Sequence, residues 1–387
     1  MKILYHHRTR SKDGQYVHIE EMITALRALG HEVIIVAPPS AETEEFGSDA
    51  GLVAWMKLHI PKFIYELMEL GYSLVTYRRL RQAVRLHQPD CLYERYNLFL
   101  PAGVWLKRKY KLPMLLEVNA PIFEERSKFD GIALKWLARW SQNYAWQGAD
   151  YVLPVTNVLG EMLAASGVPK ERIVTIPNGI NLHHFEGTSN TEAAKLALGL
   201  QGRLVLGFTG FIRDWHGLDK VIDLIAHDPS TSPRYLLIVG DGPARPTLEA
   251  QAKTLGISDR VTFTGIVPRD QVAQYVASFD IALQPAVVAY ASPLKLFEYL
   301  ALGKAIVAPA QPNIMEILTD NDNAVLFAPD NANGLATAVN QLCKDPTLRL
   351  RVGKRARDTI LEKQLTWNGN AKHVIRLFDT LVAHHHA

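Results

Sequence analysis

What most constrains this chain is a unit that it uses twice: a short apolar run, a polar loop ending in glycine, a helix-patterned stretch and a second apolar run. In the first copy, Lys2 to Tyr5 leads into a loop from Arg8 to Gly14. A helix pattern follows from His18 to Leu29, with Ile19, Met22, Ile23, Leu26 and Leu29 on one face. Gly30 stops it, and His31 to Val36 is the next strand. The second copy runs through Leu204 to Thr209, Gly210 to Gly217, Leu218 to Ala226 and Tyr235 to Val239. Parallel strands need a crossover, and a helix supplies it, so each copy predicts an open parallel sheet. One hydrophobic core stops growing well short of 387 residues. The expectation is therefore α/β, with two doubly wound domains of similar size and a cleft between them.

The stretches around these units fill in the plan. Met56 to Leu86 reads as largely helical, with breaks near Pro61 and Gly71. Cys91 to Glu94, Met114 to Val118, Tyr151 to Val155 and Ile173 to Ile176 read as strands, and Gly103 to Tyr110, Ile132 to Tyr144 and Leu159 to Ser166 as helices. Asn181 to Gly202 turns polar and alanine-rich, and the domain boundary is placed there. The predicted organisation is an N-terminal domain over 1–185, a second domain over 200–365, and a C-terminal helix over 366–387 that packs back towards the first domain. In such folds ligands bind beyond the carboxyl ends of the strands, so the loops that follow strands are where chemistry is sought.

Composition narrows the function classes. Lys and Arg total 42 against 39 Asp and Glu, a balance that leaves no stripe for nucleic acid. With 2 cysteines, a disulfide framework or cysteine-rich metal module is excluded. The opening MKILYHHRTRS is too short in its apolar run for a signal peptide, and no membrane span is expected. The expected compartment is the cytoplasm. The histidines and carboxylates near the predicted cleft form no recognisable metal-ligand set.

Five segments then line up in order: Gly210 to Gly217 (GFIRDWHG), Ile238 to Pro243 (IVGDGP), Val261 to Gly265 (VTFTG), Ser292 to Pro309 (SPLKLFEYLALGKAIVAP) and Glu316. Gly14 with His18, and Val174 to Gly179 (VTIPNG), precede them. The ordered set resembles family 4 of the retaining glycosyltransferases, which have the GT-B architecture of two Rossmann-like domains. The likeness covers essentially the whole chain.

The resemblance implies a nucleotide-sugar donor held mainly by the second domain, with no cofactor and no metal. In the family, the acidic residue at the position of Glu298 binds the ribose hydroxyls, and a carboxylate has the acceptors to do so. Lys295 shares that helix face and suits a diphosphate, helped by the backbone N–H groups of Leu294 to Leu296. Gly242 belongs to the tight loop of the donor side, and Gly14 would let its loop approach the phosphates. The family places an arginine at Phe211 and a lysine at His216. Arg213 is expected to replace the arginine, and His216 to help once phosphates raise its pKa. The usual partner of Glu298 would be residue 290, which is Tyr290, so a carboxylate nucleophile there is ruled out. Front-face transfer assisted by the leaving group, with Arg213 and Lys295 stabilising the diphosphate, is the implied mechanism. Asn119 stands where many relatives have a histidine near the sugar. Together with His18, Tyr290 and Glu316 it is assigned to sugar or acceptor contact, and with Arg213 and Lys295 it is counted among the catalytic residues. Ala310 to Asn313 replaces the usual paired glycines, so sugar contacts there are expected to differ.

The implied reaction moves a hexosyl-type sugar from UDP or GDP to a glycan, lipid-linked or small-molecule acceptor, as in polysaccharide biosynthesis. The aromatic and arginine-rich stretch 55–85 suits peripheral contact with the inner face of the cytoplasmic membrane. Rival readings are an epimerase on the same fold, or a nucleotide-sugar-binding protein without turnover. A dinucleotide oxidoreductase is disfavoured, because HHRTRSKDG replaces the GxGxxG that should follow the first strand.

Overall fold

The computed structural model describes residues 1–9, 14–38, 59–188, 190–228 and 234–386. The chain divides into two compact units, Met1–Pro177 with Trp367–Ala387, and Asn178–Thr366.

The first unit is built on strands β1 (Lys2–His6), β2 (Glu32–Val36), β3 (Cys91–Arg95), β4 (Met114–Val118) and β5 (Tyr151–Pro154). They pair in the order β2-β1-β3-β4-β5, every pair parallel. β3 and β4 are buried along their whole length, so each opens on consecutive apolar residues rather than an alternation, and their charged residues Glu94, Arg95 and Glu117 lie towards the carboxyl ends. Helices α1 (Gly14–Ala28), α2 (Lys62–His87), α3 (Ala102–Tyr110), α4 (Ile122–Phe129), α5 (Lys135–Gly148) and α6 (Asn157–Ala165) supply the connections.

The second unit holds β6 (Leu204–Thr209), β7 (Arg234–Val239), β8 (Val261–Phe263), β9 (Ile281–Leu283), β10 (Ala305–Pro309) and β11 (Val325–Phe327). Their order, β11-β10-β9-β6-β7-β8, is again wholly parallel. The chain winds outward from β6 through β7 to β8, then returns to β9 on the other side of β6. That reversal is the topological switch point of a doubly wound sheet, where the loops after β6 and β9 diverge and leave a crevice. The helices here are α7 (Thr191–Ala197), α8 (Leu218–Ala226), α9 (Arg245–Thr254), α10 (Arg269–Ala277), α11 (Leu294–Ala301), α12 (Pro312–Met315), α13 (Gly334–Lys344) and α14 (Pro346–Glu362). The last helix, α15 (Trp367–His386), belongs to the first unit and packs on α1.

Several readings of the sequence are corrected. The polar stretch from Asn181 to Gly202 is part of the second unit, whose core takes Ile180, Ala194 and Leu200. The chain leaves the first unit earlier, after Pro177. Gly71 does not interrupt α2, since the ~1 kcal/mol cost of one glycine is small beside the packing of 26 residues. Residues 56–58 of that stretch lie outside the described residues. Ile173 to Ile176 is not a strand. It makes one bridge to Val152 and donates Val174 and Ile176 N–H groups to β5 without a returning ladder. The helix expected from Ile132 to Tyr144 begins at Lys135, as α5, and a helix the sequence reading did not name, α4, precedes it across a turn at Gly131, whose φ of 73° an L side chain rarely adopts.

Candidate active site

The residues of the second unit gather at its switch point. Thr209 ends β6 and ties down helix α11, which follows the loop after β9. Its hydroxyl donates to Glu298 Oε2 at 3.1 Å, and its backbone N–H donates to the Tyr299 hydroxyl at 3.0 Å. The Tyr299 hydroxyl in turn donates to the Leu283 carbonyl at 3.3 Å. Glu298 is thereby fixed at the end of β6. Burial raises its pKa, with the Thr209 hydrogen bond and the Lys295 charge opposing.

Lys295, one turn earlier, lays its ammonium 3.7 Å from the centroid of the Phe208 ring. Burial lowers its pKa to about 7, while Glu298 pulls in the other direction. A Cβ on Gly210 would lie 3.4 Å from that ammonium, so the glycine keeps the loop after β6 close to it. The Leu296 side chain is fully buried, and its N–H is donated to the Pro293 carbonyl at 3.1 Å.

In the loop after β6, the exposed Arg213 guanidinium lies over two rings, 4.8 Å from Phe211 and 4.9 Å from Trp215. The Arg213 N–H donates to His216 Nδ1 at 3.2 Å, which leaves Nε2 as the protonated nitrogen of a neutral ring. The expected imidazolium depends on donor phosphates, and the protein's own groups work against it. Burial first, then the charges of Lys295 and Arg213, push the His216 pKa down to about 3. His216 is thus a neutral hydrogen-bond donor beside Phe208, at a ring separation of 5.2 Å.

The loop after β7 closes on the loop after β6. Ile212 donates to the Asp241 carbonyl at 2.9 Å, and a Cβ on Gly242 would fall on the Ile212 backbone. Gly242 is what lets these two backbones approach. Tyr290 and Glu316 lie half-buried in the loop after β9 and just past α12.

Sequence reading missed what organises the loop after β9. Asn178 of the PNG turn donates its backbone N–H to Ser292 Oγ at 3.2 Å and its side chain to the Ser292 carbonyl. Asn313 donates to the Ala291 and Val288 carbonyls at 2.7 and 3.2 Å, which fixes its amide orientation and leaves Oδ1 buried without a donor among the described residues. The carboxamide oxygens of Gln284 and Gln311 are in the same condition. Three unsatisfied acceptors at the ends of β9 and β10 await hydrogen-bond donors.

In the first unit, Glu117 gathers a buried cluster at the carboxyl ends of β3 and β4. His18 Nε2 lies 2.9 Å away and the Tyr93 hydroxyl donates at 2.6 Å, while Arg95 and the Asn119 carboxamide also donate. Burial by itself would raise the Glu117 pKa. The charges of His18 and Arg95 and the hydrogen bonds outweigh it and hold the carboxyl far below its usual range. His18 also meets Trp367 edge-on at 4.7 Å. So His18 and Asn119 come together through Glu117. Gly14 opens α1, and residues 10–13 before it lie outside the described residues. Among the described residues, no group of three or more His, Cys, Asp or Glu could hold a metal ion.

Comparison with known proteins bears on this geometry. Residues 13–179 match the glycosyl transferase 4-like domain, and residues 191–359 match the glycosyl transferases group 1 family. The chain belongs to the GT4-like glycosyltransferases of the GT-B superfamily. The α-D-kanosaminyltransferase of Streptomyces kanamyceticus is 26% identical over 57% of this chain and 58% of its own length. The match thus spans under two thirds of the curated relative's length. Sucrose-phosphate synthase from Thermosynechococcus elongatus shares the fold at a TM-score of 0.78 and 18% identity, over 99% of both chains. HepE of Anabaena, solved with UDP and glucose, aligns at a TM-score of 0.75 and 17% identity, over 98% of this chain and 100% of that one.

Proposed function

We propose that the protein is a retaining glycosyltransferase that moves a hexosyl-type sugar from UDP or GDP to a glycan, lipid-linked or small-molecule acceptor. The observation that carries this is the placing of Lys295 and Glu298 on one helix face at the switch point, with Glu298 pinned to β6 by Thr209. In this reading Glu298 accepts the ribose hydroxyls. Lys295 and Arg213 face the diphosphate and stabilise the charge that grows as it leaves, without a metal. His216 adds a neutral N–H. Sugar hydroxyls donate to the carboxamide oxygens of Gln311 and Asn313 near Tyr290, and Glu316 lies beside them. The leaving phosphate takes the acceptor proton on the same face, since Tyr290 offers no carboxylate. In the first unit Asn119 and His18 serve the sugar and the acceptor, and Gly14 lets its loop approach the phosphates. The setting is the cytoplasm, at the inner face of the membrane when the acceptor is lipid-linked. The solved complex of HepE with UDP and glucose, sharing this fold, supports the reading.

Glu298→Ala tests it. Losing a charged acceptor for two hydroxyls is expected to raise the donor Kd about 10- to 100-fold while the melting curve stays cooperative. An unchanged Kd by calorimetry sinks the assignment. The neutral ring of His216 favours one second reading, donor binding without turnover. Nucleotide release from bound donor separates the two.

A further inference from the structure

The first unit has a switch point of its own. The chain runs from β1 out to β2 and returns to β3 on the other side of β1, so the loops after β1 and β3 diverge. Tyr5 and His7 are what β1 presents there. Two residues apart, they lie on one face of the sheet, edge to face, with ring centroids 6.3 Å apart. Tyr5 pairs in register with Tyr93 of β3, and the two rings stack at 4.9 Å. His7 continues the line of β1 and donates its backbone N–H to the Val36 carbonyl at 3.3 Å. Both side chains are buried.

Each carries a buried polar atom with no hydrogen-bond partner among the described residues, the Tyr5 hydroxyl and His7 Nδ1. Native interiors rarely leave such atoms unused, because each forfeits the hydrogen bonds it had with water. The neighbours are already engaged. Glu117, the carboxylate on this face, takes His18 and Tyr93 on Oε2 and Arg95 and Asn119 on Oε1. On the other face, His6 Nδ1 and Glu94 Oε2 are closed on each other at 2.6 Å.

The two atoms are complementary. Burial, then the Glu117 charge, pushes the Tyr5 pKa up, so its hydroxyl keeps its proton and donates. Burial, then the charges of His6 and Arg95, pushes the His7 pKa down to about 4, so its ring is neutral. That ring also hydrogen-bonds the Thr9 backbone. Since Nδ1 has no partner, Nε2 makes this bond and holds the proton. Nδ1 is left as a lone-pair acceptor. One donor beside one acceptor fits a group that is both, an alcohol hydroxyl. A phosphate or carboxylate would set its charge against the Nδ1 lone pair and Glu117. An ammonium would face Arg95 and has no lone pair for Tyr5.

We propose that Tyr5 and His7 are positioning residues for the acceptor, and that they seat an uncharged sugar or polyol by one hydroxyl, which donates to His7 Nδ1 and accepts from the Tyr5 hydroxyl. This rests on the transfer reading and narrows the acceptor, at this subsite, to a neutral polyhydroxylated group.

The test is a saturation-transfer NMR titration of the full chain with methyl α-D-glucoside, methyl α-D-galactoside and methyl α-D-mannoside, and with the uronate and 6-phosphate of whichever binds. At least one neutral glycoside should bind, and its charged counterparts about tenfold more weakly or worse. Tyr5→Phe and His7→Phe should each weaken the neutral glycoside about three- to tenfold, as the loss of one hydrogen bond requires. His7→Asn, whose carboxamide oxygen can stand in for Nδ1, should restore it. Removing a hydroxyl that has no partner should leave the melting temperature of Tyr5→Phe level or raised. Affinity for a UDP- or GDP-sugar should be unchanged in all three variants. The proposal is overturned if no neutral glycoside binds, if the charged ones bind equally well, or if the variants bind as the unaltered protein does. It is also overturned if Tyr5→Phe melts lower with glycoside binding unchanged, since an internal water then fills the place. Loss of nucleotide-sugar binding with glycoside binding intact would contradict the transfer reading and leave this site standing.

Discussion

Glu117 shows how much one buried carboxylate holds in place. Its partners come from α1, β3 and the end of β4. Glu117→Ala would leave Arg95 buried without its counter-charge, which costs about 3–5 kcal/mol and should appear in urea unfolding. The depressed pKa also sets a pH window. The stability it contributes is complete above the unfolded carboxylate value of 4.5 and drains away as the pH falls below it. The unaltered protein should therefore start from a higher stability at neutral pH and lose it more steeply on acidification than the Glu117→Ala variant does. Lys295 gives a prediction of the opposite sign. Its ammonium titrates near pH 7 in the free protein, and a bound diphosphate favours the charged form. Donor binding then takes up a proton, so affinity should drop by up to tenfold per pH unit between pH 7 and 9. Lys295→Arg, always charged, should flatten that slope in calorimetry. Lys295 and Glu298 were legible in the sequence because they lie three residues apart in a recognisable segment. Glu117's role was not, since its partners are as far as 99 residues away. His216 could be read as a basic side chain, but its charge is decided by burial and by Lys295, which only the fold reveals.

At the scale of elements, the crossing of the loops after β6 and β7 is the most demanding feature. Gly240 has a φ of 136°, and an added Cβ would land on the Gly210 carbonyl. Gly240→Ala should cost about 1–3 kcal/mol in backbone strain. It should also displace the loop that carries Arg213 and His216, so donor affinity is expected to fall together with the melting temperature. A normal donor Kd in that variant would show that the crossing does not position the site. In the second unit Leu204–Thr209 and Leu218–Ala226 were readable to the residue, because each is buried on a consistent face and meets a glycine at one end. The errors came where local pattern is weak. β11 has three residues, too few for any period, and the pairing of Ile173 with β5 is one-sided. The stretch before Leu86 showed its aromatics and arginines in sequence, but not that Glu66, Ser73 and Thr76 turn inward. That depended on Glu66 finding the N–H groups of Ala133 and Leu134, just before α5.

At the scale of the molecule, two parallel sheets account for most of the chain. The passage between units after Pro177 was hidden from composition because residues 178–202 are polar outside yet contribute Ile180, Ala194 and Leu200 to a core. The net charge of +3 says little as a total. Its placement matters: Lys295 and Arg213 stand at the second unit's switch point. Arg213→Ala should lower turnover more than donor affinity, because its charge partner develops only as the diphosphate departs. Equal turnover by initial-rate assay would remove Arg213 from the mechanism. The most direct measurement is a calorimetric titration of the unaltered protein, with EDTA present, against UDP-, GDP-, ADP- and dTDP-sugars and NAD. Saturable binding of a UDP- or GDP-sugar, weakened by Glu298→Ala, is the predicted result. Binding of NAD in place of every nucleotide sugar would contradict the account.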